Sequence, residues 1–180
     1  FINDTLNLYC EQTGIVFTHS RVHHSNDQAW VEQKNGAVIR KIVGYERFSG
    51  IIAGQAMAQL FQAVRLYVNY FQPSFKLRDK IREGARIRKW DNSPATSCDR
   101  LLANKGVAEK VKETLRKQKE QLDPVALLQR IRQGQFALAA LNSGALSTGP
   151  NRQSLDQFLS QLPRLWRDGE VRPTHRKDDV

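Results

Sequence analysis

The sequence predicts an α/β protein that is predominantly helical over this span, and three observations carry that prediction. Apolar residues recur at helical spacing along most of the chain. One β-branched and aromatic run, Ile15-Val16-Phe17-Thr18, reads as a strand. From Lys76 the text turns strongly basic, and helical periodicity resumes beyond it.

Residues 2–13 place Ile2, Leu6, Tyr9 and Cys10 on one helical stripe, with Asn3 or Asp4 available as a cap and Gly14 as the stop. The strand expected at 15–18 cannot satisfy its own backbone groups and needs neighbours. No other stretch reads as a convincing strand, so those neighbours are expected upstream of Phe1. The first residue is not Met and no signal segment follows it, which agrees with a piece of a longer protein, the back half of an α/β sheet domain.

Ser20 to Asn26 is a polar loop, and Asp27 is placed to cap a helix from Gln28 to Val43. Val31, Val38 and Ile42 form its apolar seam, with Ile39 and Val43 beside it, and Gly44 at its end. Glu32, Asn35, Gly36 and Arg40 share a neighbouring face by the same spacing. Gly36 costs about 1 kcal/mol relative to Ala inside a helix, so either something approaches closely there or packing requires it.

Residues 53–71 give the cleanest periodicity, with Met57, Leu60, Phe61, Val64, Val68 and Phe71 on one side and a stop before Pro73. KLRDKIREGARIRK, residues 76–89, holds seven basic residues against two acidic ones, and a turn follows at Asp91-Asn92-Ser93-Pro94. The expected organisation is 1–75 as a core portion, 76–104 as a basic connector, 105–142 as a helical hairpin and 143–180 as a mostly flexible tail. Asp123-Pro124 restarts the second helix of that hairpin.

Twenty-eight Lys and Arg against eighteen Asp and Glu give a net charge of +10 over 180 residues. That charge favours polyanionic partners, nucleic acid before anionic membrane. No apolar run approaches the roughly 20 residues that cross a bilayer. Two distant cysteines, Cys10 and Cys98, fit a reducing cytoplasm rather than a disulfide or zinc framework.

The segment HSNDQAWVEQKNGAVIRKIVGYERFSG, followed by RLYVNYFQPSFKL, resembles the end of the catalytic core of bacterial insertion-sequence transposases. The resemblance continues in KWDNSPATSCDRLL and LDPVALLQRIR, so it covers most of residues 1–142. That family belongs to the retroviral-integrase-like superfamily, with an Asp, Asp, Glu site on a ribonuclease-H-like fold. The resemblance implies a core portion made of one helix, one strand, a catalytic helix and a long helix. Within the phrase Asn26, Asp27, Ala29, Val31, Glu32, Lys34, Asn35, the third acid maps onto Glu32. The family's two aspartates have no counterpart here: both positions fall before Phe1, and neither Asp4 nor Asp27 matches them. This span alone is therefore expected not to assemble the site.

What the resemblance implies is Mg²⁺- (or Mn²⁺-) dependent cleavage and strand transfer on DNA. The partners would be element ends and target, handled by a homo-multimer at the nucleoid in the cytoplasm. Both steps are in-line phosphoryl transfers, for which two hard cations held by carboxylates stabilise the attacking and leaving oxygens. His24 matches a family position in a loop beside the active site, where the resemblance implies contact with DNA. Lys34, Asn35, Arg40 and Lys41 are expected near the scissile bond, or else form a solvated helix face. Lys76, Arg78, Lys80, Arg82, Arg86, Arg88 and Lys89 are the stronger candidates for phosphate contact. His19, His23 and His24 lack the regular Cys or His partners of a zinc site, and Trp30 and Trp90 read as packing anchors. The rivals are a non-catalytic DNA-binding or assembly remnant of a transposase, and a helical adaptor for acidic proteins.

Overall fold

The computed structural model describes residues 4–16, 20–143 and 154–167. Helix dominates, and one antiparallel two-stranded hairpin is the only sheet among the described residues. No described helix is long and apolar enough to cross a membrane. The described residues divide into two compact units, one within 4–59 and 134–166, the other within 60–133 and Arg167.

In the first unit, α1 (Asp4–Thr13) ends in a Schellman turn at Gly14, whose φ is +65°. The Gly14 amide donates to the Glu11 carbonyl at 3.2 Å and the Ile15 amide to the Cys10 carbonyl at 2.8 Å. This corrects the expected strand at its start. Ile15 and Val16 form no strand, because the amide of Ile15 closes the helix end instead of joining a ladder. Phe17 and Thr18 lie outside the described residues, as do Ile2 of the predicted stripe and residues 144–153 of the predicted tail. Tyr9 and Cys10 of that stripe are buried.

The helix expected over 28–43 is a composite run. A 3₁₀ turn, Ser25–Gln28, leads into α2 (Ala29–Lys34), a π turn, Asn35–Ile39, and α3 (Arg40–Val43). Its apolar seam is shallower than the spacing predicts. Val38, Ile39, Ile42 and Val43 are half-buried, and Val31 is 62% exposed. Gly44 ends the run at φ +74°, its amide bonded to the Arg40 carbonyl at 3.0 Å. The far half of α7 (Pro124–Asn142) fastens this end. Gln135 donates to the Ile42 carbonyl, and Asn142 donates to the Glu46 carboxylate, each at 2.7 Å. The helix α8 (Leu155–Arg167) lays Phe158 on Gly54, where an added Cβ would sit 3.0 Å from the ring.

The long predicted helix is α4 (Gly50–Tyr70), which spans the division between units after Gln59. Its stripe is core as expected at Leu60 and Val64, which are buried, while Met57, Phe61, Val68 and Phe71 are half-buried. Leu66 and Tyr70 are also buried. Tyr70 donates to the Gln118 side chain, and burial pushes its phenol up to about 12.

In the second unit, residues 77–91, inside the expected basic connector, correct the expectation that no other stretch is a strand. They form β1 (Leu77–Glu83) and β2 (Arg86–Asp91), a hairpin exposed along its whole length. Gly84 opens its two-residue turn at φ +61°, the positive value a tight hairpin turn needs. After it come α5 (Ser97–Ala103), α6 (Glu109–Gln121), packed on α5, and the first half of α7. The two helices expected in 105–142 are present, joined at Leu122-Asp123. Asp123 caps the second, accepting from the Val125 amide at 2.8 Å.

Candidate nucleic-acid interface

Glu32 sits in the first turn of α2, exposed. The loop before it is closed by a fork between Arg21 and Asp27. The guanidinium donates through Nε to Oδ2 and through Nη2 to Oδ1, each at 2.9 Å, and the Arg21 amide adds a third bond at 3.1 Å. The Arg21 side chain, and then its amide, hold the Asp27 carboxyl below the usual range. Asp27 is thus not the helix cap that its position suggests. It lies within the 3₁₀ turn and ties the loop, while the helix after it starts with no side-chain cap. Gln28 adds a bond to the Ser20 hydroxyl at 2.9 Å, and His23 takes a positive φ of 62° between them.

Around Glu32, the side chains of His24, Lys34, Asn35, Arg40 and Lys41 are all exposed. Glu32, Lys34 and Lys41 have no ion-pair partner among the described residues. Arg40 lies 5.1 Å above the Tyr45 ring, a cation–π contact that leaves its N–H edge open. Tyr45 escaped the sequence reading, since it lies past the helix-ending glycine and outside the periodic stripe. The π turn widens the helix between Glu32 and Arg40, so the straight-helix alignment of those two residues is broken. A Cβ on Gly36 would meet nothing within 4 Å, so no packing within the described chain demands glycine there.

No group of three His, Cys, Asp or Glu among the described residues is placed to hold a metal ion. Glu32 alone does not fit a two-metal centre, which needs further carboxylates around the same ions. Cys10 and Cys98 are both buried, and burial pushes the Cys98 thiol up, away from nucleophilic use.

The hairpin gathers the second set of candidates. Its register pairs Asp79 with Trp90, Lys80 with Lys89, Ile81 with Arg88, Arg82 with Ile87 and Glu83 with Arg86. Residues directly opposite share a face, and neighbours along a strand alternate. One face therefore carries Lys80, Arg82, Ile87 and Lys89, with Asp91 at its root opposite Leu77, and the other carries Asp79, Ile81, Glu83, Arg86, Arg88 and Trp90. Arg78 is the extra residue of a bulge between Leu77 and Asp79. Lys76 lies just before β1, its carbonyl accepting from the Asn92 amide at 2.8 Å.

The root of the hairpin is pinned by residues that composition does not flag. Ser74 and Ala95 form an antiparallel bridge, and Arg100 of α5 donates to both the carbonyl and the hydroxyl of Ser74. Thr96 then caps α5 reciprocally with Asp99. Its hydroxyl accepts from the Asp99 amide at 3.0 Å, and the Asp99 carboxylate accepts from that hydroxyl at 2.7 Å. Lys119 of α6 binds the same carboxylate at 2.8 Å.

Over 94 residues, 52% of its length, the chain is 51% identical to "Uncharacterized protein y4rM" of Sinorhizobium fredii (strain NBRC 101917 / NGR234). The match spans 27% of that protein's length. No family model matches the chain, and no solved structure matches it.

Proposed function

We propose that the chain is the C-terminal part of a DNA transposase or integrase, with the end of a catalytic core around Glu32 and a basic extension that holds DNA. The observation that supports it best is the solvent-facing side of the helical run Ser25–Val43, where Glu32, Lys34 and Lys41 stand exposed without ion-pair partners among the described residues, behind a tied loop. A carboxylate so placed is available to a site completed by other acids, and the cations beyond it suit phosphates. In the longer protein, Mg²⁺ or Mn²⁺ would supply the Lewis acid for cutting and joining. The work would take place on element ends and target DNA, by a homo-multimer at the bacterial nucleoid.

The test joins this chain to the segment encoded upstream of it and assays strand transfer on duplex substrates. Glu32→Gln should reduce joining to background while duplex binding stays unchanged. Equal cutting and joining by that variant would refute the role of Glu32. A second reading, a non-catalytic DNA-binding remnant, draws on the solitary position of Glu32. It predicts that the extended protein binds DNA and never joins it.

A further inference from the structure

We propose that the β1–β2 hairpin is a one-sided ribbon for duplex DNA, seating Lys80, Arg82 and Lys89 on the phosphate backbone and turning its other face away. This deepens the DNA-handling reading and rests on it only for the setting in which the ribbon would work.

The two faces differ in how their charge is settled. On one, Lys80 stands directly opposite Lys89, with Arg82 next along and Ile87 among them, and the single acid of that face, Asp91, lies at the root opposite Leu77, leaving three cations against one acid. Like charges directly opposite destabilise a strand pair, so this arrangement weakens the free hairpin and is relieved by a polyanion. On the other face, Asp79 and Glu83 are set against Arg86 and Arg88, with Arg88 and Glu83 3.9 Å apart. That face balances itself. Neither face is buried, so folding does not require its cations.

The root makes the ribbon a presented arm rather than a loose loop. Through Ser74, Ala95, Asn92 and Arg100 its base is held before any ligand arrives, which lowers the ordering cost of binding. At about 3.4 Å per residue, the seven residues of β1 span roughly 20 Å. A two-stranded ribbon of this kind fits the major groove of B-form DNA.

The chemistry of the cationic face also selects among polyanions. Single strands are held by aromatic stacking as well as charge, and this face has no aromatic residue, Trp90 lying on the other. The deep, narrow major groove of duplex RNA does not admit a ribbon. A membrane-surface element would set a broad apolar face against its cations, and here one isoleucine stands among three of them.

The 180-residue chain is titrated against a short labelled DNA duplex at a series of salt concentrations, with fluorescence anisotropy as the readout. Lys80→Gln with Lys89→Gln should make the slope of log affinity against log salt shallower by about 1.8. Arg86→Gln with Arg88→Gln removes the same charge and should change the slope by less than half as much. Equal changes from the two pairs, or none from either, overturn the one-sided ribbon. Tighter binding to single-stranded DNA, to duplex RNA or to phosphatidylserine vesicles than to duplex DNA overturns the choice of ligand. Lys80→Glu, which places an acid opposite Lys89, should keep or raise the melting temperature while duplex binding falls. Unchanged binding by that variant also overturns the proposal. Because the assay measures binding and not joining, its outcome stands whether or not the longer protein transfers strands.

Discussion

The helical run Ser25–Val43 and the hairpin Leu77–Asp91 both offer cations to solvent, and they are held by opposite means. The run has an apolar underside of half-buried Val38, Ile39, Ile42 and Val43, and Gln135 of α7 grips its last turn. Its charged residues ride on packing that exists for other reasons. The hairpin has no buried residue in either strand. Its geometry depends on a two-residue turn at one end and a pinned root at the other. A surface of the first kind tolerates exchange of its charges, and one of the second kind is governed by its turn and root.

The sharpest way to break this contrast is at the turn. Gly84 has φ +61°, where a side chain costs about 1–2 kcal/mol. Gly84→Ala should lower hydrogen-exchange protection across the Lys80–Lys89 ladder by roughly tenfold, since 1.4 kcal/mol is a factor of ten. Protection in α4 should be unchanged. Equal protection in the hairpin of the variant would show that the turn does not control the ribbon.

The root gives the next largest effect. Thr96 is 7% exposed and makes both halves of the cap with Asp99. Thr96→Ala should cost about 1 kcal/mol in thermal melts at neutral pH. The pH dependence follows from Asp99, whose carboxyl is held below its ordinary 3.8 by the bond from Lys119 first and that from Thr96 second. A depressed carboxylate contributes stability above its unfolded pKa and loses it as pH falls through the folded value. The penalty of Thr96→Ala should therefore be largest at neutral pH and shrink once the pH drops below the folded value. A penalty that is the same at pH 7 and at strongly acid pH would assign the effect to packing and the Asp99 amide bond, with no share from the carboxylate.

How much of this was legible depends on whether a local rule governed the residue. Gly14, Pro73 and Asp123 act where helix-ending and helix-starting chemistry puts them, and α4 follows its period closely. The helix that carries Glu32 was legible as a period. The hairpin was not, because charged residues dominate it and its isoleucines, Ile81 and Ile87, fall on opposite faces of different strands, so no apolar alternation marks either strand. The opposite error occurred at Ile15, whose strand-forming side chain was outvoted by the needs of a helix end. The π turn and the Arg21–Asp27 fork left no mark on periodicity, since one adds a residue to a turn and the other is settled by loop closure.

The smallest expected effect tests whether the proposed DNA contact extends from the hairpin to the helical run. Gly36 lies one turn beyond Glu32, inside the π turn, and a methyl group there would enter open space. Alanine in a helix interior gains up to about 1 kcal/mol over glycine, so Gly36→Ala should raise the melting temperature slightly. If DNA is held by the hairpin alone, duplex affinity should not change. If a phosphate backbone also passes close to the helix beside Glu32, the added methyl meets it, and affinity falls while stability rises. Opposite movements of those two quantities are hard to produce by loss of structure, and they would place the helical run in contact with DNA. A joint rise in stability with unchanged affinity would leave the hairpin as the arm that binds and the run as the part that carries the acid.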